Sequence, residues 1–167
     1  TIDLRVRREH VPYDLREKQG FLETTEGNVI HSGYIEKFIE GLGERFNIRE
    51  IAFDRWGAVQ MVQNLEGMGF TIVPFGQGFK DMSPPTKELM KLTLEKRIAH
   101  GGHPVLRWMM DNIFIRTDPA GNIKADKEKS TEKIDGAVAT IMALDRAIRC
   151  GNDNGASVYD TRGILFI

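Results

Sequence analysis

Two aspartates carry the chemistry that this sequence offers. Asp54 follows Ile51, Ala52 and Phe53. If those residues form an interior strand, a carboxylate emerges at the end of a buried sheet, where several elements converge. A carboxylate placed there could meet groups from other elements on a metal ion. An Asp at a strand-to-helix seam serves equally well as a helix cap. Asp135 opens the last helical pattern, with Glu132 three residues earlier on a neighbouring face. The helix dipole alone favours an acid there. Position by itself leaves the chemical and the structural reading open for Asp54 and favours the structural one for Asp135.

Other chemistry-bearing residues read more simply. His100 and His103 flank the Gly101-Gly102 break without a partner cysteine or a regular carboxylate spacing, and His31 stands apart. A loop role, or a contact to a nucleic-acid backbone, suits them better than metal ligation. Trp56 and Trp108 sit in apolar patterns and read as packing residues rather than base-stacking platforms. Lys124, Lys127, Lys129 and Lys133 interleave with Asp126, Glu128 and Glu132, the composition of a solvated charge run. Cys150 is the single cysteine, which excludes an internal disulfide and any multi-cysteine zinc site within the chain. There is no G-x-G-x-x-G after a strand and no Gly-Lys-Ser/Thr phosphate loop, which argues against a nucleotide-binding enzyme.

The elements that must position these residues follow from periodicity and punctuation. Two short helices, interrupted at Pro12, precede a stop at Gly20, and Phe21 to His31 suggests a small strand or an extended crossing around a Glu26-Gly27-Asn28 turn. Ile35, Phe38, Ile39 and Leu42 mark a helix from a Ser32 cap to about Asn47. Strand residues 48–53, a helix through Val59, Met61, Val62 and Leu65, and strand residues 70–75 then alternate as in a parallel α/β arrangement. Residues 76–85, rich in Gly and Pro, read as a mobile, solvent-facing loop, with the Pro84-Pro85 pair starting a helix that runs from Thr86 to Ala99. A short helix through Trp108 and Met109 leads to a β-hairpin whose turn is Asp118-Pro119-Ala120-Gly121-Asn122, expected to be exposed. Ile134, Val138, Ile141, Met142, Leu144 and Ile148 mark the final amphipathic helix. Residues 1–150 form one expected domain and 151–167 a tail, flexible at first and apolar at its end.

Bulk composition bounds the rest. With 167 residues and a hydrophobic share of 41%, the chain can bury one compact core. Lys plus Arg number 23 against 24 for Asp plus Glu, a net charge of -1, so any basic surface for a polyanion is local. No apolar run reaches the roughly 18 residues of a membrane span, and residues 1–8 lack a signal-peptide core. A reducing cytoplasm is the expected setting.

Several ordered stretches resemble the nuclease domain of the large terminase subunits of tailed double-stranded DNA bacteriophages. They include Val11-Pro12-Tyr13-Asp14, Gly27-Asn28-Val29-Ile30, Ile51-Ala52-Phe53-Asp54-Arg55-Trp56, Pro74-Phe75-Gly76-Gln77-Gly78 and Met82-Ser83-Pro84-Pro85-Thr86-Lys87-Glu88-Leu89. His100 to Trp108, Asp118 to Asn122 and Ser130 to Gly136 continue the likeness through nearly the whole chain. The resemblance implies a ribonuclease H-like α/β fold, a central sheet flanked by helices. It also implies a metal-dependent endonuclease that cuts concatemeric DNA during packaging, alongside an ATPase that lies outside this chain.

It further implies a two-metal site for Mg2+ or Mn2+, with Asp54 in the second-strand acid position and Asp135 in the helix acid position. Glu132 becomes a flanking ligand or water-orienting group. Arg55, Lys124, Lys127, Lys129 and Lys133 become contacts to the DNA backbone, where cations release counterions. Expected partners are double-stranded DNA, the terminase small subunit, the portal protein and a second copy of the chain, in the cytoplasm of a bacterial host and away from membranes. The family's first-strand acid belongs to a segment that would precede Thr1, so the domain is expected to lack its first strands and to cut poorly by itself. Asp3 aligns with a helical stretch and does not replace that acid. A prophage remnant or fragment that only binds DNA or assembles is the alternative.

Overall fold

The computed structural model describes residues 2–25, 27, 31–54 and 59–151. Helices α1 (Ile2–Glu9) and α2 (Tyr13–Lys18) are separated at Pro12, whose fixed φ and missing N–H suit a break there. Residues 22–25 have no regular structure. Apart from Gly27, the expected Glu26-Gly27-Asn28 turn lies outside the described residues, as does the expected tail beyond Gly151. Helix α3 (Ser32–Arg45) starts at the expected place, although its cap residue is His31. Glu36 is its buried side chain, and Asn64 Nδ2 donates to both Glu36 oxygens at 3.0 and 3.1 Å.

Strand β1 (Ile51–Asp54), helix α4 (Val59–Gly67) and strand β2 (Ile72–Phe75) form the expected parallel crossover unit. The register pairs Ile51 with Ile72 and Asp54 with Phe75, so the second strand ends level with the first. Helix α5 (Phe79–Leu94) follows directly. Here the structure corrects the sequence reading: the stretch expected as a mobile loop up to Pro85 is largely helical, with Met82 1% and Ser83 3% exposed. Pro84 and Pro85 lie inside the helix, removing the donors that the carbonyls of Lys80 and Asp81 would otherwise meet. The helix continues because Met82 and Pro85 are fully buried and because Thr86 Oγ1 donates to the Met82 carbonyl at 2.6 Å.

Helix α6 (Pro104–Asp111) leads into the hairpin of β3 (Ile115–Thr117) and β4 (Ile123–Ala125), whose antiparallel register pairs Arg116 with Lys124. Gly121 takes a φ of 78° in the turn, a conformation open to glycine at little cost. Ala120 and Gly121 are exposed and Pro119 stands beside them, as expected of the tip. Among the described residues the strands make two two-stranded sheets rather than one central sheet.

Helix α7 (Asp135–Cys150) supplies the middle of the core. Ile134, Ala137, Val138, Ile141 and Met142 pack with Phe75, Met82 and Ala125, and Ala52, Leu89, Met109, Met110 and Ile113 close around them. That cluster joins both sheets, α5 and α6 to a single helix. Ser83 Oγ, buried in α5, accepts the Ile123 amide at 3.1 Å and ties the hairpin to the same layer. No helix among the described residues is long and apolar enough to cross a membrane.

Candidate metal and DNA-contact site

Asp54 is the last residue of β1 and is exposed. Asp135 is the first residue of α7, with its side chain 64% exposed. Their elements are tied where Arg146 Nε donates to Glu50 Oε2 at 2.7 Å. Further along the strand, Ala52 packs against the cluster that holds Val138, Ile141 and Met142. The start of β1 therefore lies beside the last turns of α7.

The surroundings of Asp135 are built by its neighbours. Gly136 lets α7 approach α6: a Cβ at this position would stand 2.7 Å from Met109 Sδ, and the Gly136 N–H instead points at that sulfur from 3.1 Å. Lys127 Nζ reaches Asp135 Oδ1 at 2.6 Å. The Lys127 backbone is held by Asp126, whose Oδ1 accepts the amides of Glu128 and Lys129 at 3.0 and 3.3 Å, and whose carbonyl accepts Ser130 Oγ at 2.6 Å. Asp126 Oδ2 is buried with the Arg116 guanidinium 3.6 Å away, beyond hydrogen-bond range. Burial pushes the Asp126 carboxyl up, but the two amides and Arg116 outweigh it and hold the group below its ordinary value.

Each of the remaining sequence-derived residues has its own surroundings. Glu132 is half-buried, and its charge acts on Tyr13 of α2. Burial first, and the hydrogen bond to Glu9 second, push the Tyr13 hydroxyl up to about 12. Lys124 is drawn inward: its ammonium donates to the Gln77 carbonyl at 3.2 Å and lies 5.3 Å from the centre of the Phe79 ring. Lys129 lies over Phe114 at 5.5 Å, and Lys133 is exposed. Arg55 and Trp56 lie outside the described residues.

Two of the histidines accept main-chain amides. His103 Nδ1 caps α6 by accepting the Leu106 amide at 3.4 Å, and His100 Nδ1 accepts the Gly102 amide at 3.0 Å. Trp108 packs edge-on against Tyr13 at 6.2 Å with the Arg16 guanidinium 5.6 Å from its ring centre. Sequence reasoning overlooked Gly136, Asp126 and the Glu50 and Arg146 pair as positioning residues. The glycine directly after Asp135 in an otherwise good helix start was the available signal.

In donor chemistry, Asp54 and Asp135 are hard oxygen ligands suited to Mg2+ or Mn2+. Among the described residues, no group of three or more His, Cys, Asp or Glu side chains is assembled as a metal cage. The pair therefore fits such an ion in kind, as part of a ligand set.

A sequence model described as the endonuclease domain of the terminase large subunit matches residues 2–150. The chain belongs to this terminase family. The terminase large subunit of Enterobacteria phage HK97 is 39% identical over 150 residues, which is 88% of this chain and 30% of that protein. Protein YmfN of Escherichia coli is 32% identical over 133 residues, covering 78% of this chain and 29% of its own length. The chain thus spans somewhat under a third of the length of each of these relatives.

Solved terminase structures agree. The crystal structure of the HK97 large terminase superposes with a TM-score of 0.80 at 37% identity, over 87% of this chain and 31% of that one. The large terminase nuclease of thermophilic phage G20c matches with a TM-score of 0.54 at 14% identity, over 72% of this chain and 64% of that one, a likeness of fold. The α/β architecture expected from the sequence is thus that of phage large terminase nucleases.

Proposed function

We propose that this chain is part of a phage packaging terminase and contributes the divalent-metal-dependent cut in concatemeric double-stranded DNA. The observation that supports the reading is that the motif residues Asp54 and Asp135 stand at the last position of β1 and the first of α7, two elements tied to each other through Glu50 and Arg146. Family membership across residues 2–150 supports the nuclease role.

Asp54 and Asp135 would hold Mg2+ or Mn2+, with Glu132 as a flanking candidate. When bound, such an ion lowers the pKa of a water and neutralises charge on a phosphate. The chain's own residues orient and bind. Gly136 and Met109 seat the start of α7 so that Asp135 is presented at its N-terminus. Arg55, Lys127, Lys129 and Lys133 meet the DNA backbone, which accounts for cutting with little sequence preference, since phosphate contacts carry no base information. In the full-length protein this activity works in the bacterial cytoplasm with the small subunit and the portal.

Nicking of supercoiled plasmid in Mn2+ tests the reading. Cleavage by the 167-residue chain is expected to be slow, because the described residues assemble no group of three or more ligating side chains, and Asp54→Ala and Asp135→Ala should each abolish it. Robust cleavage lost in either variant would mean that a third acid, Glu132 or one from another chain, completes the set. Cleavage unaffected by both substitutions overturns the assignment. DNA binding without any cutting would favour the binding or assembly role instead.

A further inference from the structure

Lys127 holds a position that its own charge makes awkward. Its ammonium stands 2.6 Å from Asp135 Oδ1, yet the two side chains are 59% and 64% exposed, so water competes for both. Asp135 is the first residue of α7, where unpaired amides and the helix dipole favour the carboxylate and disfavour a cation. The neighbouring lysines are placed differently, Lys124 on a carbonyl and a ring and Lys129 over a ring. Of these three, Lys127 is the one paired with Asp135, and the Asp126 turn fixes the backbone from which it reaches.

We propose that Lys127 is a stand-in cation: its ammonium occupies the Asp135 carboxylate in the metal-free protein, a divalent ion displaces it, and the released ammonium takes a DNA phosphate. This rests on the reading of Asp135 as a metal ligand. The helix end that makes Lys127 a poor permanent partner also makes it easy to displace. Metal entry and DNA engagement are then coupled through one side chain, because the lysine cannot hold Asp135 and a phosphate together. By linkage, DNA that captures Lys127 raises the affinity of the site for metal by the factor by which metal raises its affinity for DNA.

The test measures Mn2+ binding by the paramagnetic signal of the free ion, using the full chain, Lys127→Met, Lys91→Met and Asp135→Asn. Lys127→Met should bind Mn2+ tighter by about threefold to tenfold, a coupling in the ordinary range. Lys91→Met, at an exposed position of α5, should match the wild type, and Asp135→Asn should bind markedly more weakly. A second measurement follows DNA affinity against salt, with Ca2+ and without divalent ion. With Ca2+ the wild type should show a slope steeper than that of Lys127→Met by about one phosphate contact, and without the ion the two slopes should coincide.

If Asp135→Asn weakens Mn2+ binding while Lys127→Met leaves it unchanged or weaker, the ligand reading survives and the stand-in role is wrong. If Asp135→Asn has no effect, the ligand reading fails and takes this proposal with it. A slope difference of the same size with and without Ca2+ makes Lys127 an ordinary phosphate contact and overturns the displacement.

Discussion

Arg146 Nε donates to Glu50 Oε2 at 2.7 Å across 96 residues of sequence, tying the last turns of α7 to the residue before β1. The same guanidinium lies 3.7 Å from Cys150 Sγ. The Arg146 hydrogen bond, and then that of the Cys150 thiol, hold the Glu50 carboxyl below its ordinary value. In return the Glu50 hydrogen bond, with burial adding to it, pushes the thiol up.

This pair predicts a pH signature. A carboxyl whose folded pKa is depressed contributes stability above its unfolded value and loses that contribution as pH falls through the folded value. Glu50→Gln should therefore lower the thermal midpoint at neutral pH, and the difference from wild type should shrink as pH drops below about 4. Melting curves across that range check it. A deficit that stays constant with pH would mean that the pair matters through packing alone.

Ser83 links the first turns of α5, which the sequence reading placed in a loop, to the hairpin. The residue is 3% exposed, and its hydroxyl accepts the Ile123 amide at 3.1 Å. Ser83→Ala leaves that amide without its acceptor, which should cost about 1–3 kcal/mol. Urea denaturation gives the loss, and faster hydrogen exchange at Ile123 locates it. Unchanged exchange at that amide would show that the bond does not hold the hairpin in solution.

Lys96 follows the C-terminal end of α5 with a φ of 56°, while its amide donates to the Thr93 carbonyl and the Arg97 amide to that of Leu92. This helix-ending turn favours glycine, since a Cβ in the left-handed region meets the following carbonyl. Lys96→Gly should raise stability by about 1 kcal/mol. A lower melting temperature in the variant would mean that the lysine side chain contributes more than the turn costs.

What the sequence disclosed and what it hid divide along local and tertiary lines. The β1, α4 and β2 unit, the hairpin and α7 were legible because apolar periodicity and turn residues agree there. The start of α5 was not, because Pro84 and Pro85 are strong local breakers whose effect is overridden by burial of Met82 and Pro85 and by the Thr86 back-bond, none visible as a pattern. Asp54 and Asp135 were found through motif likeness; the tie between their elements through Glu50 and Arg146 is a contact that no spacing reveals. The lysines were legible as a charge run, but their individual partners depend on which strand face and turn each occupies.

Those partners separate the lysines in their expected effect on DNA. Lys124 spends its ammonium on the Gln77 carbonyl and the Phe79 ring, so Lys124→Ala removes an internal tie between the hairpin and α5. It should lower stability measurably and leave the salt dependence of DNA binding nearly unchanged. Lys133 is exposed, and Lys129 rests on a ring face that does not neutralise it. Each of Lys129→Ala and Lys133→Ala should weaken binding to all sequences alike and flatten the plot of log affinity against log salt by about 0.9, the slope of one released counterion on duplex DNA. Arrangement, rather than charge count, decides this ranking, because all three substitutions remove the same charge from a chain of net charge -1. Binding titrations at several salt concentrations, paired with melting temperatures of each variant, measure both effects. Equal slope changes for Lys124, Lys129 and Lys133 would show that DNA pulls Lys124 from its internal contacts, and a slope unchanged in all three would remove the hairpin side from the DNA path.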